Sequence, residues 1–586
     1  MNDTLFHQGF PPALIFIAGA MLTPLLRGKA RSAFMLLIPA LSFMIIAQIP
    51  EGAHWNVSFL GYDLVPGRID RLSRVFGLIF TLISFIAVIF SMKVNDKLQH
   101  VAGLCYAGSA LGVTFAGDFL TLYIFWEIMA ISSTFLVLAS RTDPARKAAF
   151  RYILVHIFGG LCLLAGILTR IHETGSIQFA YMDLSGMSAW LIFIGIAVNA
   201  AIPPIHPWLK DAYPESTVTG AVFLSAFTTK SAVYVMARMF PGAEILIWLG
   251  AVMTILPVFY AEIENDIRRV LSYSLMNQVG FMMCGIGIGT QLAINGAVSH
   301  AFCHILYKAL LFMAAGSVLH MTGKIKCTDI GGLHKTMPVT CLFCVIGAAS
   351  ISAFPLFSGF VSKSMIISAA GNNHLTLIWL MLQFASAGVI AHAGIKVPFF
   401  TFFGHDSGIR AKEPPLNMMI AMGIAAFLCV FIGVFPQFLY HILPYPVDYV
   451  PYTSSHVVAQ LQLLMFGIFA FYLLLKSGYY PSEIRAVNLD TDWFYRKGAA
   501  LVVGAATAVS SGIAGSLEKI FILRVPQKAA GLFKRPMTRL LSLLTGEKDD
   551  PGKNFHDTAT LTPAGMPVMA ALVLLGALGA LFMFIG

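Results

Sequence analysis

Charged side chains are scarce in this chain. Only 11% of its 586 residues are Asp, Glu, Lys or Arg, against roughly a quarter in an ordinary soluble domain. A soluble protein of this length would fold as about four domains and could not clothe them with so few charges. With 58% apolar or aromatic residues, the shortage excludes a soluble enzyme, a disordered chain and a nucleic-acid binder. The solvent has to be lipid. The net charge of +10 is scattered in short clusters, which suits the cytoplasmic loops of a membrane protein better than a basic groove. Cysteine is sparse as well: eight residues, most of them inside apolar runs, with Cys341 and Cys344 forming an isolated C-x-x-C. Without a second pair, buried thiols are expected rather than a metal or redox site. A cleavable signal is not expected either. The first apolar run, 11–26, is followed rather than preceded by its cations Arg27, Lys29 and Arg31, the reverse of a signal peptide.

What is abundant is apolar sequence in long runs. A membrane helix needs about 20 residues, because each rises about 1.5 Å against a hydrocarbon core of about 30 Å. Runs of suitable composition recur from residue 11 to residue 475, with one more at 564–585. Some are short enough to be half-helices, so about 14–16 spans are expected. No strand alternation is visible, and the expected fold class is an all-α polytopic membrane protein. Alternate connections carry the cations: Arg27/Lys29/Arg31, Lys93/Lys97, Arg141/Arg146/Lys147/Arg151, Arg268/Arg269 and Lys324/Lys326/Lys335. The cation-rich side should be cytoplasmic, which places the N-terminus outside.

Two segments look like interrupted helices: Pro203-Pro204-Ile205-His206-Pro207-Trp208 and Phe354-Pro355-Leu356-Phe357-Ser358-Gly359. Proline removes a donor and strains the preceding turn. Broken backbone at membrane depth is tolerated where it lines water or is packed in protein. Paired breaks in two halves of a chain point to a transport site; the plainer reading is that both are span ends at the interface.

The most informative residues are ionisable groups inside apolar runs: Glu127, Lys230, Lys308, Lys363 and, nearer a run's end, Lys396. Four such groups at mid-span cost on the order of 10–14 kcal/mol before pairing or hydration. Each could snorkel or sit in a structural ion pair. The functional alternative is a relay, in which a lysine in a dry site releases its proton near neutrality and a moving carboxylate restores it. His300, His304 and Lys308 strengthen the relay. Steps of four residues stack the three groups on one helix face over about 12 Å, and imidazole both donates and accepts. With no carboxylate or third ligand close by, a metal site is not expected. The run Gly285-Ile-Gly287-Ile-Gly289 reads as helix packing rather than a dinucleotide loop. Glu262, Glu264, Asp266, Arg268 and Arg269 read as a solvated or interfacial cluster. Residues 490–548 mix Glu518, Lys519, Arg524, Lys528, Lys534, Arg535 and Arg539 with apolar residues, as helices lying along the cytoplasmic interface do. A plain basic tail is the alternative there.

The segments GDFLTLYIFWE, PPIHPWLKDAYPESTVTGAVFLSAFTTKSAVY, NDIRRVLSYSLMNQVGFM, HAFCHILYKALLFMAAGSV and PLFSGFVSK together resemble the proton-translocating, antiporter-like subunits shared by respiratory complex I, membrane-bound hydrogenases and Mrp-type cation/proton antiporters. Within that family the resemblance is closest to the D-type component of Mrp Na+/H+ antiporters. It implies a core of 14 helices with two inverted five-helix repeats, each holding a broken helix. By position it implies Glu127 as the mid-membrane glutamate, His300, His304 and Lys308 as the central relay helix, Lys363 as the exit-side group, and Lys230 as a lysine just after the first break. Two positions depart from the pattern: Asn199 stands where a lysine partner of the glutamate is usual, and Arg268 replaces a bridging lysine. Arginine does not deprotonate usefully, so Lys230 is expected to take over as the partner of Glu127, or else this input half is silent.

The expected organisation is N-terminal helices over 1–117, a first repeat over 118–240, a second over 241–403, core helices over 404–480, an amphipathic interface segment over 481–563 and a terminal anchor over 564–586. The resemblance implies a bacterial inner-membrane subunit of a monovalent cation/proton antiporter. It would work with other membrane subunits, move H+ and possibly Na+ or K+, and need no cofactor or metal. A proton-pumping subunit of a quinone oxidoreductase or hydrogenase, or a non-conducting scaffold of another transporter, are the alternatives. No redox or hydrolytic site is read in the chain.

Overall fold

The computed structural model describes residues 10–517, apart from 60, 481–483 and 485–487. One compact unit runs to Trp493, and a second begins at Phe494. The first unit is a helical bundle, as expected. Its helices are α1 (Pro12–Leu22), α2 (Gly28–Gln48), α3 (Arg71–Ser91), α4 (Lys97–Phe115), α5 (Phe119–Leu138), α6 (Asp143–Thr174), α7 (Gly186–Asn199), α8 (Pro207–Ala212), α9 (Val218–Ala226), α10 (Thr228–Met239), α11 (Glu244–Ile263), α12 (Ile267–Ile288), α13 (Gln291–Thr322), α14 (Pro338–Ile351), α15 (Ser358–Asn372), α16 (Thr376–Val389), α17 (Leu416–Val434), α18 (Gln437–Tyr440) and α19 (Ser454–Ser477). Among the described residues, ten helices are long and apolar enough to cross a membrane, counting α9 with α10 as one and α16 with the turns that continue it to Phe403 as another. Shorter apolar helices, including α7 and α14, add to them.

Local chemistry sets the helix ends. Asp70, Asp118, Thr142, Asp266 and Thr290 each cap a helix by accepting from a backbone N–H of its first turn, which satisfies donors the helix itself leaves open. Helix α13 is the axis of the bundle: it packs against α3, α9, α12, α14, α15 and α17, and His300, His304 and Lys308 on it are fully buried. The glycine run does pack helices. A Cβ on Gly287 would lie 2.5 Å from the Ile247 nitrogen of α11, closer than any side chain tolerates.

Both expected interruptions are real, and they share one geometry. At the end of α7, Ala201 takes the left-handed conformation (φ 58°), and the Ile202 N–H donates back to the Ala197 carbonyl at 3.1 Å. At the end of α14, Ala353 is left-handed (φ 57°), and the Phe354 N–H donates to the Ala349 carbonyl at 3.0 Å. This six-to-one closure usually relies on glycine. Here alanine takes the position, at a cost of about 1–2 kcal/mol each. A further interruption, unmarked by proline or glycine, separates α9 from α10 at Phe227. Beyond α16 the helix widens into π-turns over Ile390–Lys396 and Phe399–Phe403.

The structure corrects one expectation. Short strands exist, in the loop between α2 and α3. Gly52–His54 pairs antiparallel with Gly67–Ile69, and Val57–Phe59 with Tyr62–Leu64. Three residues per strand are too few for an alternating pattern to show in sequence. Arg238 of α10 grips this loop's end through a bidentate pair with Asp70, both contacts 2.8 Å.

The stretch leading out of the first unit is pinned by charge. Asp490 accepts from the Tyr273 hydroxyl at 2.8 Å and lies 3.1 Å from His206 Nε2 and 3.2 Å from Lys210 Nζ. Thr491 donates to the Pro204 carbonyl at 2.9 Å. Burial alone would raise the Asp490 carboxyl, but His206 and Lys210 outweigh it and hold the group below the usual carboxylate range. Helix α20 (Asp492–Leu517) follows and forms the described part of the second unit. The basic residues from Glu518 onward and the anchor expected at 564–585 lie outside the described residues.

Candidate functional site: a buried row of titratable groups

The site begins on α5. Glu127 is half-buried, and its Oε1 is enclosed without a hydrogen-bond partner in the protein. Room for it exists because α6 has glycine opposite: a Cβ on Gly160 would stand 2.1 Å from Oε1. The expected pairing with Lys230 is not found. Lys230 is fully buried on α10 and donates to the Ser225 carbonyl at 2.6 Å and to Thr229 Oγ1 at 3.1 Å, forming no ion pair with Glu127. A carbonyl at the C-terminal turn of a helix carries partial negative charge, so the interrupted helix, rather than the glutamate, receives the ammonium.

Lys363 repeats this arrangement in the other half. It lies on α15, after the second break, and donates to the carbonyl of Ile351, the last residue of α14, at 2.9 Å. Its ammonium also stands 5.1 Å from the centre of the Phe281 ring. In both cases a lysine beyond an interruption grips the carbonyl end of the half-helix before it. Lys363 also lines a cavity of about 340 Å³ with Ser364, Ser368, Gln383, His456 and Gln460.

Between the two lysines runs α13. His300 Nδ1 is 3.0 Å from Ser362 Oγ, and its Nε2 is 3.1 Å from Gln278 Oε1. The His304 ring lies 6.3 Å from that of His300 and 5.3 Å from that of Tyr307, centre to centre. Both His304 nitrogens and Lys308 Nζ are buried without a hydrogen-bond partner in the protein. Lys230 lies within Coulombic reach of both Lys308 and His304. The structure therefore brings Lys230, His300, His304, Lys308 and Lys363 into one buried neighbourhood. Glu127 makes no hydrogen bond or ion pair with any of these groups.

Neutral polar residues, which sequence reasoning passed over, fill the intervals. Ser133 on α5 accepts from the Tyr152 hydroxyl at 2.9 Å, and the Tyr106 hydroxyl meets Thr228 Oγ1, at the start of α10, at 2.6 Å. Gln278, Ser362 and the fully buried His392 were also passed over: the first two never ionise near neutral pH, and His392 lacks the four-residue spacing that marked His300, His304 and Lys308. Two expectations resolve as structural. Arg268 donates to the carbonyls of Pro214 at 2.7 Å and Ser216 at 3.0 Å, clamping the loop after the first break. Lys396 donates to the Ala261 and Glu262 carbonyls; the cluster expected to be solvated or interfacial is instead largely packed away, with Glu264 and Arg268 buried. Asn199, at the end of α7, is buried with neither side-chain polar atom bonded to protein. Among the described residues no group of three or more His, Cys, Asp or Glu is placed to hold a metal.

Comparison with known proteins bears on the chain as a whole. Residues 116–390 match the family model described as "NADH:quinone oxidoreductase/Mrp antiporter, TM". The chain is 28% identical over 436 residues to Na(+)/H(+) antiporter subunit A1 of Staphylococcus aureus (strain JH9), covering 66% of this chain and 54% of that protein. It is 28% identical over 453 residues to the subunit A1 of Staphylococcus haemolyticus (strain JCSC1435), covering 69% and 56%. The chain thus spans about half the length of the curated relatives it matches, and these are A1 subunits rather than the D type. Two solved structures share the fold. One, from the archaeal membrane-bound sulfane sulfur reductase, has a TM-score of 0.71 and 22% identity over 91% of this chain and 99% of the other. The second, from the Mrp complex of Dietzia sp. DQ12-45-1b, has a TM-score of 0.75 and 21% identity over 94% and 64%. The helical bundle shared with these structures and the match over residues 116–390, just under half of the chain, make this chain similar to the NADH:quinone oxidoreductase/Mrp antiporter transmembrane family.

Proposed function

We propose that this protein is a proton-translocating membrane subunit of a multi-subunit monovalent cation/proton antiporter, D-like as its motifs imply. Protons pass among Glu127, Lys230, Lys308, His304, His300 and Lys363. The observation that carries this reading is the row on α13: two histidines and a lysine, fully buried on one helix face, flanked by two lysines that each hold a half-helix carbonyl. Isolated charges at this depth are costly, and a row of them is better accounted for by proton traffic than by packing. The serine, threonine and tyrosine hydroxyls between α5 and α10 supply donors and acceptors across the gap to Glu127. The two breaks support a division into repeats over 118–240 and 241–403, with the cation-rich loops cytoplasmic.

The test uses membrane vesicles carrying the whole operon. Lys308→Ala should abolish the ΔpH and the coupled Na+ or K+ flux while the complex still assembles. Normal transport in that variant would reduce the chain to a scaffold. Electron-donor dependence of the same ΔpH would instead assign the chain to a redox-driven complex.

A further inference from the structure

Four side chains beside His300 form a chain of hydrogen bonds whose direction is fixed at one end. Helices α11 and α12 approach so closely that a Cβ on Gly280 would lie 2.7 Å from the Gly250 oxygen. This contact lets Asn277 of α12 reach a backbone carbonyl of α11, that of Thr254. A carbonyl only accepts, so Asn277 must present its amide NH2 there and turn its oxygen the other way. That oxygen accepts from Gln278 Nε2, which turns Gln278 Oε1 away in its own right. Two groups face Oε1: the Tyr307 hydroxyl at 3.0 Å and His300 Nε2 at 3.1 Å. Both must donate.

His300 therefore carries its hydrogen on Nε2 when neutral, leaving Nδ1 as an acceptor. The atom facing Nδ1 is Ser362 Oγ, 3.0 Å away. The same hydroxyl lies 3.1 Å from the Ser358 carbonyl and 3.4 Å from that of Gly359, at the start of α15. Its single hydrogen serves one acceptor at a time. With His300 neutral, the hydrogen points to Nδ1. With His300 protonated, Nδ1 becomes a donor; Ser362 then accepts, and its hydrogen turns to the carbonyls of α15.

We propose that Asn277 and Gln278 are positioning residues that set the proton polarity of His300, and that Ser362 is a hydroxyl rotor linking the charge of His300 to the half-helix bearing Lys363. The proposal rests on the relay reading above. It adds a direction: protons enter and leave His300 at Nδ1, on the Ser362 side. Lys363, the next residue after Ser362, is where the rotor's state is felt.

The test uses the assembled complex in vesicles with 15N-labelled histidine, the His300 signal being identified by its loss in His300→Asn. At alkaline pH neutral His300 should show protonated Nε2 and bare Nδ1. Gln278→Leu, which removes the acceptor, should mix the two tautomers. A native Nδ1–H tautomer, or an unchanged tautomer in Gln278→Leu, overturns the assignment. In the transport assay Ser362→Ala should lose at least about tenfold in rate, and Ser362→Thr, which keeps the hydroxyl, should restore it. Lys308→Ala runs in parallel. If Lys308→Ala is dead while Ser362→Ala transports like the native protein, the rotor is wrong and the relay stands. If Lys308→Ala transports normally, the relay itself falls, whatever the tautomer.

Discussion

Glu127 owes its place to a missing methyl group. A Cβ on Gly160 would lie 2.1 Å from the carboxylate oxygen, so Gly160→Ala must push the carboxylate off its position. The expected outcome is a loss of transport of roughly tenfold or more, since small misplacements of reacting groups are costly. Proton uptake in vesicles, normalised to assembled complex, measures it. Glu127→Gln should be at least as severe. The residues of the proposed relay were legible because ionisable groups in an apolar run are conspicuous: Glu127, Lys230, His300, His304, Lys308 and Lys363 stand out of their segments. What they touch was not. Ser362 and His300 are 62 positions apart, and a serine in a membrane helix costs little and signals nothing. The expected Glu127–Lys230 pair failed for a similar reason. Opposite charges suggest a partnership, but the competing acceptor is a backbone carbonyl, and every residue has one.

At the scale of elements, proline announced two breaks and nothing announced the third. The interruption at Phe227 lies in Ser-Ala-Phe-Thr-Thr, which reads as continuous helix. The π-turns on either side of Pro398 were not read from the sequence, although a proline there removes a donor from the helical ladder. The matched alanines make the proline-marked breaks testable. A β-branched residue fits the left-handed region poorly, so Ala353→Val should destabilise by about 2 kcal/mol, seen as a lower thermal midpoint in detergent. Ala353→Gly should remain near the native value. A large loss with glycine as well would show that the Ala353 side chain, rather than its backbone conformation, sustains the break.

For the whole molecule, the sequence pointed to a helical membrane fold; among the described residues ten helices are long and apolar enough to cross a membrane, fewer than the 14–16 spans expected, because several runs fold as short or interrupted helices. The way the chain leaves its bundle was hidden. Asp490 reaches back across more than two hundred positions to Tyr273, His206 and Lys210. Its carboxyl is held below the usual range, so its contribution to stability is present above the unfolded value of about 3.9 and fades as pH falls through the lower folded value. Asp490→Asn should cost about 3 kcal/mol at neutral pH, as breaking one side of a buried ionic group does. The gap in thermal midpoint between variant and native protein should close only in strong acid. A gap unchanged by pH would mean that shape, not charge, joins these segments. Finally, the two carbonyl-gripping lysines carry a mechanical corollary. An ammonium–carbonyl bond is about twice as strong as its neutral counterpart. Discharging Lys230 or Lys363 therefore slackens the clasp between two half-helices, so in the proposed relay a departing proton would loosen a joint and an arriving one would tighten it.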